Sequence, residues 1–277
     1  MHESGEKRVS ADLSGVPETM LWPLWHRAQE MKRRDRLIED PLASALVGSI
    51  NYDFRGRFGR PSPFHPVRAR VTDDLVRSFA ERHASPQVIA LGEGLDTAFW
   101  RINDPRIKWL SVDVPEASEF RRTMLPTDPR LQHLECSALD FRWMDEVVRS
   151  SPPFITACGL LMYFKEPEVR RLLCAIAKRF PGSEVFFDTI TPFFSRQTIK
   201  GFQVTRRYKA PPMPWGITLQ DLPDFIRSIP NLEPVNVDSY AAPFPNRMFL
   251  FKLLTKIPPI RRLFGAGLVH ARVNPEC

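Results

Sequence analysis

Between residues 86 and 191, short apolar runs alternate with amphipathic segments. No other feature of this 277-residue chain constrains its fold as strongly. The runs are QVIALG (87–92), KWLSVDV (108–114), LQHLEC (131–136), PFITACG (153–159) and SEVFFDT (183–189). Each is short and bounded by turn residues, as expected of a buried strand. Between them lie helical candidates at LDTAFWRI, PEASEFRRTML, RWMDEVVRS and EPEVRRLLCAIAKRF. Strands that alternate with helices imply parallel βαβ units, hence an α/β fold with an open, mostly parallel sheet covered on both faces. Further on, LQDLPDFIRS predicts a helix, and NLEPVNVDSY and NRMFLFKLLT predict two strands. A short Pro-rich connection joins those two, which suits an antiparallel hairpin at the sheet edge.

Residues 1–17 are polar and expected to be mobile. Residues 18–84 predict an N-terminal helical cap, with Asp40-Pro41 as a helix cap followed by an N1 proline. Within it, NYDFRGRFGRPSPFHP reads as a loop able to lie over a pocket. The core is expected over 85–256, with a lid at about 192–217 and a basic, apolar tail at 257–277. No uncharged apolar run approaches the roughly 20 residues of a membrane helix, and the N-terminus lacks the apolar centre of a secretory signal. The four cysteines form no CxxC pair, so neither a metal site nor a disulfide scaffold is expected, and the cytoplasm is the default compartment. A net charge of +7 favours anionic partners, but the arginines are dispersed. The expected partner is therefore a small acidic substrate, with no nucleic acid and no integral membrane contact; a homodimeric state is left open.

The richest segment is VIALGEGLDTAFWRI (88–102), where a buried strand runs into Gly92-Glu93-Gly94 and then a helix start. Glycines there let backbone approach a ligand where a Cβ would collide. Thr97 occupies the third glycine position of the dinucleotide fingerprint, which disfavours a nicotinamide enzyme. Asp113 ends the second strand, 19 residues after Gly94, where an acid can accept both ribose hydroxyls of an adenosine. Asp140 lies just past the third strand and could accept from an adenine amine, or cap the next helix. Ligands of open α/β sheets bind outside the carboxyl ends of the strands, so these groups predict one site.

LGEGLDTAFWRI, WLSVDVPE followed by EFRRTMLP, and ITACGLLMYF together resemble the leucine carboxyl methyltransferase superfamily. The similarity is greatest to the branch containing the tetracenomycin polyketide-synthesis carboxyl methyltransferase. ETMLWPLWHRAQE, EDPLA and RARVTDDLVRSF are similar too, so the resemblance runs from about Glu18 to Thr191. It implies a class I, Rossmann-like methyltransferase fold, S-adenosylmethionine as cofactor, and O-methylation, usually of a carboxylate. It also implies that Arg68 pairs with the methionyl carboxylate and that Gly92, Glu93 and Gly94 form the loop under the methionyl and ribose parts. Asp113 and Val114 fall at the ribose, and Leu139 and Asp140 at the adenine. Where the family carries a glutamate expected at the cofactor ammonium, this chain has Cys158, with Glu93 as a candidate replacement. That departure keeps open a cofactor-binding scaffold that does not methylate.

A carboxylate acceptor is ionised at pH 7 and needs alignment, water exclusion and a charge partner rather than a general base. His65 and His83 lie near candidate loops but show no local acidic orienter, so no catalytic histidine is expected. Tyr163, at the end of the fourth strand, is expected to face the reaction cleft. Trp25 and Arg27 of the cap, and Arg206, Arg207, Tyr208 and Trp215 of QVTRRYKAPPMPWG, are expected to close the substrate side.

Overall fold

The structure, a computed structural model, describes residues 8–148 and 151–275. At its centre is a seven-stranded sheet: β1 (Gln87–Leu91), β2 (Lys108–Asp113), β3 (Leu131–Glu135), β4 (Phe154–Ala157), β5 (Glu184–Asp188), β6 (Leu232–Ser239) and β7 (Gly267–Val273). The spatial order is β6-β7-β5-β4-β1-β2-β3. β1 to β5 are parallel, while β7 runs antiparallel between β5 and β6. The chain builds outward from β1 through β2 to β3, then crosses back to β4. The switch point between β1 and β4 is where open α/β sheets bind ligands.

The helices that matter for the site are α1 (Leu21–Glu30), α2 (Pro41–Ser49), α3 (Phe64–Glu81), α4 (Ala98–Ile102) and α5 (Pro115–Met124). After them come α6 (Glu166–Arg179), α7 (Pro192–Ile199), α8 (Leu222–Arg227), α9 (Phe249–Leu254) and α10 (Pro258–Phe264). One apolar layer packs Ile89, Val112, Ile155 and Phe187 against Leu172 and Ile176 of α6. The opposite layer packs Val88, Ala90 and Phe186 against Val76 and Phe79 of α3. Strands β1, β4 and β5 are buried along their whole length, which is why they read as continuous apolar runs.

The antiparallel edge exists, but its second strand lies elsewhere than expected. NRMFLFKLLT contains helix α9, and GLVHARV, from the expected tail, supplies β7. A strand inserted between two others needs apolar side chains on both faces. Leu268, Val269, Ala271 and Val273 provide them, whereas Phe249, Leu250, Leu253 and Leu254 of α9 stay exposed. Short apolar runs do not distinguish strand from helix by period alone. The N-terminal reading also shifts. Val9–Ser10 pair with Ile50–Asn51, and Gly15–Glu18 form a helical turn, while residues 1–7 lie outside the described residues. Among the described residues no helix is long and apolar enough to cross a membrane.

Candidate functional site

The carboxyl ends of β1, β2, β4 and β5 open into one cavity of about 590 Å³. Gly92 and Gly94 turn the chain after β1 with φ of +61° and +53°. A Cβ on Gly92 would lie 2.6 Å from Leu160 Cδ1, and one on Gly94 would lie 2.6 Å from Met20 Cβ. The two glycines are thus required by left-handed backbone and by the protein's own packing, a stricter reason than clearance for a ligand. Asp113 Oδ2 accepts the Gly94 N–H at 2.8 Å, and Oδ1 accepts the Val114 N–H at 2.9 Å. Burial raises the Asp113 pKa, opposed by those two N–H groups and by Arg121. Two of its roughly four lone-pair sites remain for hydroxyl donors.

The rest of the L-D-T-x-F-x-R run braces that turn. Arg101 binds Asp73 through Nε and Nη2 at 2.9 Å each, Asp96 at 2.8 Å and Asp40 at 3.1 Å. Thr97 Oγ1 donates to Asp40 at 2.6 Å, and Asp40 also accepts from Arg27 Nε at 2.9 Å and caps α2 through the Ala43 N–H. Arg27 completes the brace by donating to the Leu95 carbonyl at 2.7 Å. Its guanidinium is held by Asp40 and the glycine turn, while the residue also lines the cavity where the sequence expected it.

At the other end of the cavity, Arg68 of α3 pairs with Asp188, the last residue of β5, at 2.8 Å, and both are buried. Asp188 also accepts from Tyr240 Oη and from the Gly159 N–H, each at 2.5 Å. Cys158 lies beside this pair: Ala157 pairs with Phe187 across β4 and β5, and the Cys158 Sγ is 3.5 Å from Thr72 Oγ1. Burial pushes the Cys158 thiol up to about 12, so it stays protonated and is no nucleophile. Glu93, expected as the replacement acid, is engaged instead by Arg121, 3.0 Å away, and burial raises its pKa to about 7 despite that partner. The acid beside Cys158 is Asp188. It ends the strand next to the one carrying the family motif, a relation that depends on strand order and left no local mark in the sequence.

Tyr163 lines the cavity, its phenol pushed up to about 12 by burial. Other expected residues are not brought there. Asp140 caps the short helical turn Phe141–Asp145 and pairs with exposed Arg142 at 2.5 Å, so Ser137 and Ala138 line the cavity in its place, and Leu139 packs into the core. The Trp25 indole donates to the Gly59 carbonyl and stacks on Phe54. Tyr208 is buried against Phe58 and Trp22, Trp215 packs on Phe225, and Arg206 is exposed at a turn. The 192–217 segment covers the cavity with Phe194 and Met213 instead. Flat and basic residues drew the sequence reading, but an interior wall selects plain apolar ones.

The sequence profile of the family described as leucine carboxyl methyltransferase matches residues 21–177. The chain belongs to the leucine carboxyl methyltransferase family. Among named relatives is the tetracenomycin polyketide synthesis O-methyltransferase TcmP of Streptomyces glaucescens, 30% identical over 66% of this chain and 69% of its own. A Parafrankia protein named as an S-adenosyl-L-methionine-dependent methyltransferase is 33% identical over 68% of this chain and 66% of its own. In fold, a Thermobifida fusca protein assigned as a methyltransferase superposes with a TM-score of 0.57 at 17% identity, covering 92% of this chain and 94% of that one. This leucine carboxyl methyltransferase family member is an S-adenosylmethionine-dependent methyltransferase with a class I fold.

The cavity fits that cofactor. A strand-end carboxylate beside a glycine turn suits a ribose, and the guanidinium of Arg68 suits a carboxylate. Beyond the cofactor half, the wall becomes apolar, with Met20, Trp22, Phe64, Phe194, Met213 and Phe264. Sequence reasoning missed one polar group in that wall, His26, and set another, His65, aside for want of a local acid. The partner of His65 is 39 residues away and is another histidine, so a search for a nearby acid could not find it.

Proposed function

We propose that this methyltransferase esterifies a carboxylate of a small, largely apolar acid, of the polyketide or other secondary-metabolite type. The reading is supported by one observation above all: the acceptor half of the cavity joins an apolar wall to the Arg68 guanidinium, a charge partner for an anion. Bound S-adenosylmethionine supplies an electrophilic methyl group. The protein's own residues do the rest. Gly92 to Gly94, braced by Arg101, Asp40 and Arg27, hold the turn rigid beneath Asp113. Arg68 is kept in place by Asp188 to receive an anionic group. Met20, Phe194, Met213 and Phe264 exclude water and give flat or branched hydrocarbon a surface to lie on. Tyr163 stays protonated and so acts as a donor or a wall, not as a base. A carboxylate arrives ionised, whereas a phenol would need a base to take its proton. The similarity to a polyketide-synthesis O-methyltransferase agrees with an acceptor of this size and polarity.

Incubation with S-adenosylmethionine and either 1-naphthoate or 1-naphthol, read by mass spectrometry, tests the reading with two acceptors of one shape. The methyl ester of the acid is the expected product. Methylation of the naphthol alone would overturn the carboxylate assignment while leaving the methyltransferase intact.

A further inference from the structure

Three nitrogen-bearing rings in the acceptor half form a chain whose protons are fixed by one indole. The Trp22 Nε1–H donates to His26 Nε2 at 3.1 Å, and His26 Nδ1 lies 2.7 Å from His65 Nδ1. An indole nitrogen can only donate, so His26 Nε2 must carry a lone pair. His26 is then neutral with its proton on Nδ1, and that proton is the single one between the two histidines. His65 Nδ1 is therefore an acceptor, which leaves the His65 proton on Nε2. Among the described residues nothing in the protein bonds that nitrogen, and half-buried His65 lines the cavity.

We propose that Trp22, His26 and His65 form a tautomer lock that presents a fixed, neutral N–H donor to the acceptor oxygen of the substrate, so that the site takes oxygens that are already ionised. This rests on the methyl-transfer reading and narrows its substrate class. With a carboxylate, an oxygen lone pair forms the new carbon–oxygen bond as the carbon–sulfur bond breaks onto sulfur, and no proton has to leave. With a phenol a proton must be removed, and His65 cannot take it at Nε2, where it already holds one. Freeing that lone pair would move the inter-ring proton to His65 and require a proton on His26 Nε2, against the Trp22 indole. The charged surroundings act the same way. Burial and Arg27 hold His26 down at about 4, while burial, His26, Arg68 and Arg27 lower His65 well below the usual histidine range. Among the described residues no carboxylate bonds either ring.

Nitrogen NMR of the 15N-histidine-labelled protein tests the lock without any cofactor. His26 is expected as the Nδ1–H tautomer and His65 as the Nε2–H tautomer, both unchanged from pH 5.5 to 8. A lone pair on His65 Nε2, or titration of either ring within that range, would overturn the proposal. Adding 1-naphthoate should shift the His65 Nε2 resonance, and His65→Leu should weaken its binding about tenfold or more, with S-adenosylhomocysteine binding unchanged. A His65 signal and an affinity indifferent to the acid would also overturn it. His26→Leu removes the inter-ring bond and should let His65 titrate, which a merely space-filling His26 would not do. If the protein bound no S-adenosyl compound, the methyltransferase reading would fail separately, since the tautomers are read from the protein alone.

Discussion

The two halves of the cavity are built by opposite means. The cofactor half is made of strand ends: Gly92 and Gly94 after β1, Asp113 at the end of β2, Asp188 at the end of β5, each held by hydrogen bonds of 2.5 to 2.8 Å. The acceptor half is made of side chains from α1, α3, α7 and α10, joined by Met20 and Met213 from the connecting segments, which meet only because those helices fold over the sheet. A ligand common to many proteins can be bound by backbone turns and single carboxylates that a parallel sheet supplies anyway. An acceptor particular to one enzyme needs a shaped surface, and shape comes from packing between distant segments.

The sharpest way to break this comparison is to cut the brace that joins the halves. Asp40 is fully buried and binds Arg27, Arg101 and Thr97 while capping α2. Asp40→Ala leaves two buried guanidinium groups short of a partner, with an expected loss of about 3–5 kcal/mol in denaturant unfolding. A loss below about 1 kcal/mol would show that the glycine turn stands without the cap.

Next in size is the boundary between the halves. Cys158→Glu places a second carboxylate beside Asp188 in a buried position, so it must stay protonated or separate the pair. Holding a glutamate neutral at pH 7 costs about 3 kcal/mol. The expected outcome is a lower melting temperature at pH 7, largely recovered at pH 5, with weaker binding of S-adenosylhomocysteine. Tighter binding at unchanged stability would mean that the family's glutamate is simply missing and that Asp188 does not stand in for it.

Glu93 tests whether the cofactor turn itself carries a pH cost. Its pKa is raised from 4.5 to about 7, chiefly by burial. Between those values the folded protein keeps a proton that the unfolded chain releases, so stability falls as pH rises through the window. Wild type should lose up to about 3 kcal/mol relative to Glu93→Gln between pH 4.5 and 7, and little more above it. Parallel unfolding curves for the two proteins across that range would place the carboxyl in a wetter or better paired setting.

How much was legible divides along the same line. β1 to β5, the Asp40 cap, the glycine turn and Asp113 were readable because each is local: a run, a spacing, a strand end. Asp188 was within a recognised strand, yet its pairing with Arg68 bridges 120 residues and depends on β5 lying next to β4. β7 was hidden in a basic tail because His270 and Arg272 mask its apolar character; both are bonded to Glu184 of β5. The histidine pair was hidden because hydrogen bonding between rings on α1 and α3 has no sequence period.

Within the cofactor half the comparison becomes quantitative. Asp113→Ala removes a carboxylate aimed at the ribose position, and S-adenosylhomocysteine should bind about 1.5–3 kcal/mol more weakly by calorimetry, or roughly 10- to 150-fold. Binding of 1-naphthoate should not change, since the acid belongs to the other half. Loss of both would mean that Asp113 holds the whole cavity open through the Gly94 N–H rather than meeting a ligand.

The smallest effect is expected where sequence and structure part. Asp140 stands just past a strand end, as Asp113 stands at one, and both are acids in matching positions of successive βα units. Yet Asp113 turns inward to the Gly94 N–H, while Asp140 turns outward to Arg142, whose side chain is 79% exposed. The difference lies in the helical turn that comes after each strand. Val114-Pro115 starts α5 without needing the aspartate as a cap, so Asp113 is free to face the cavity; the turn at Phe141–Asp145 uses Asp140 to cap the Arg142 N–H. Asp140→Ala should therefore leave the S-adenosylhomocysteine dissociation constant within about twofold, because an exposed ion pair contributes little. A tenfold loss would show that Asp140 swings inward when the adenine arrives, and the cofactor half would then be less rigid than its hydrogen bonds suggest.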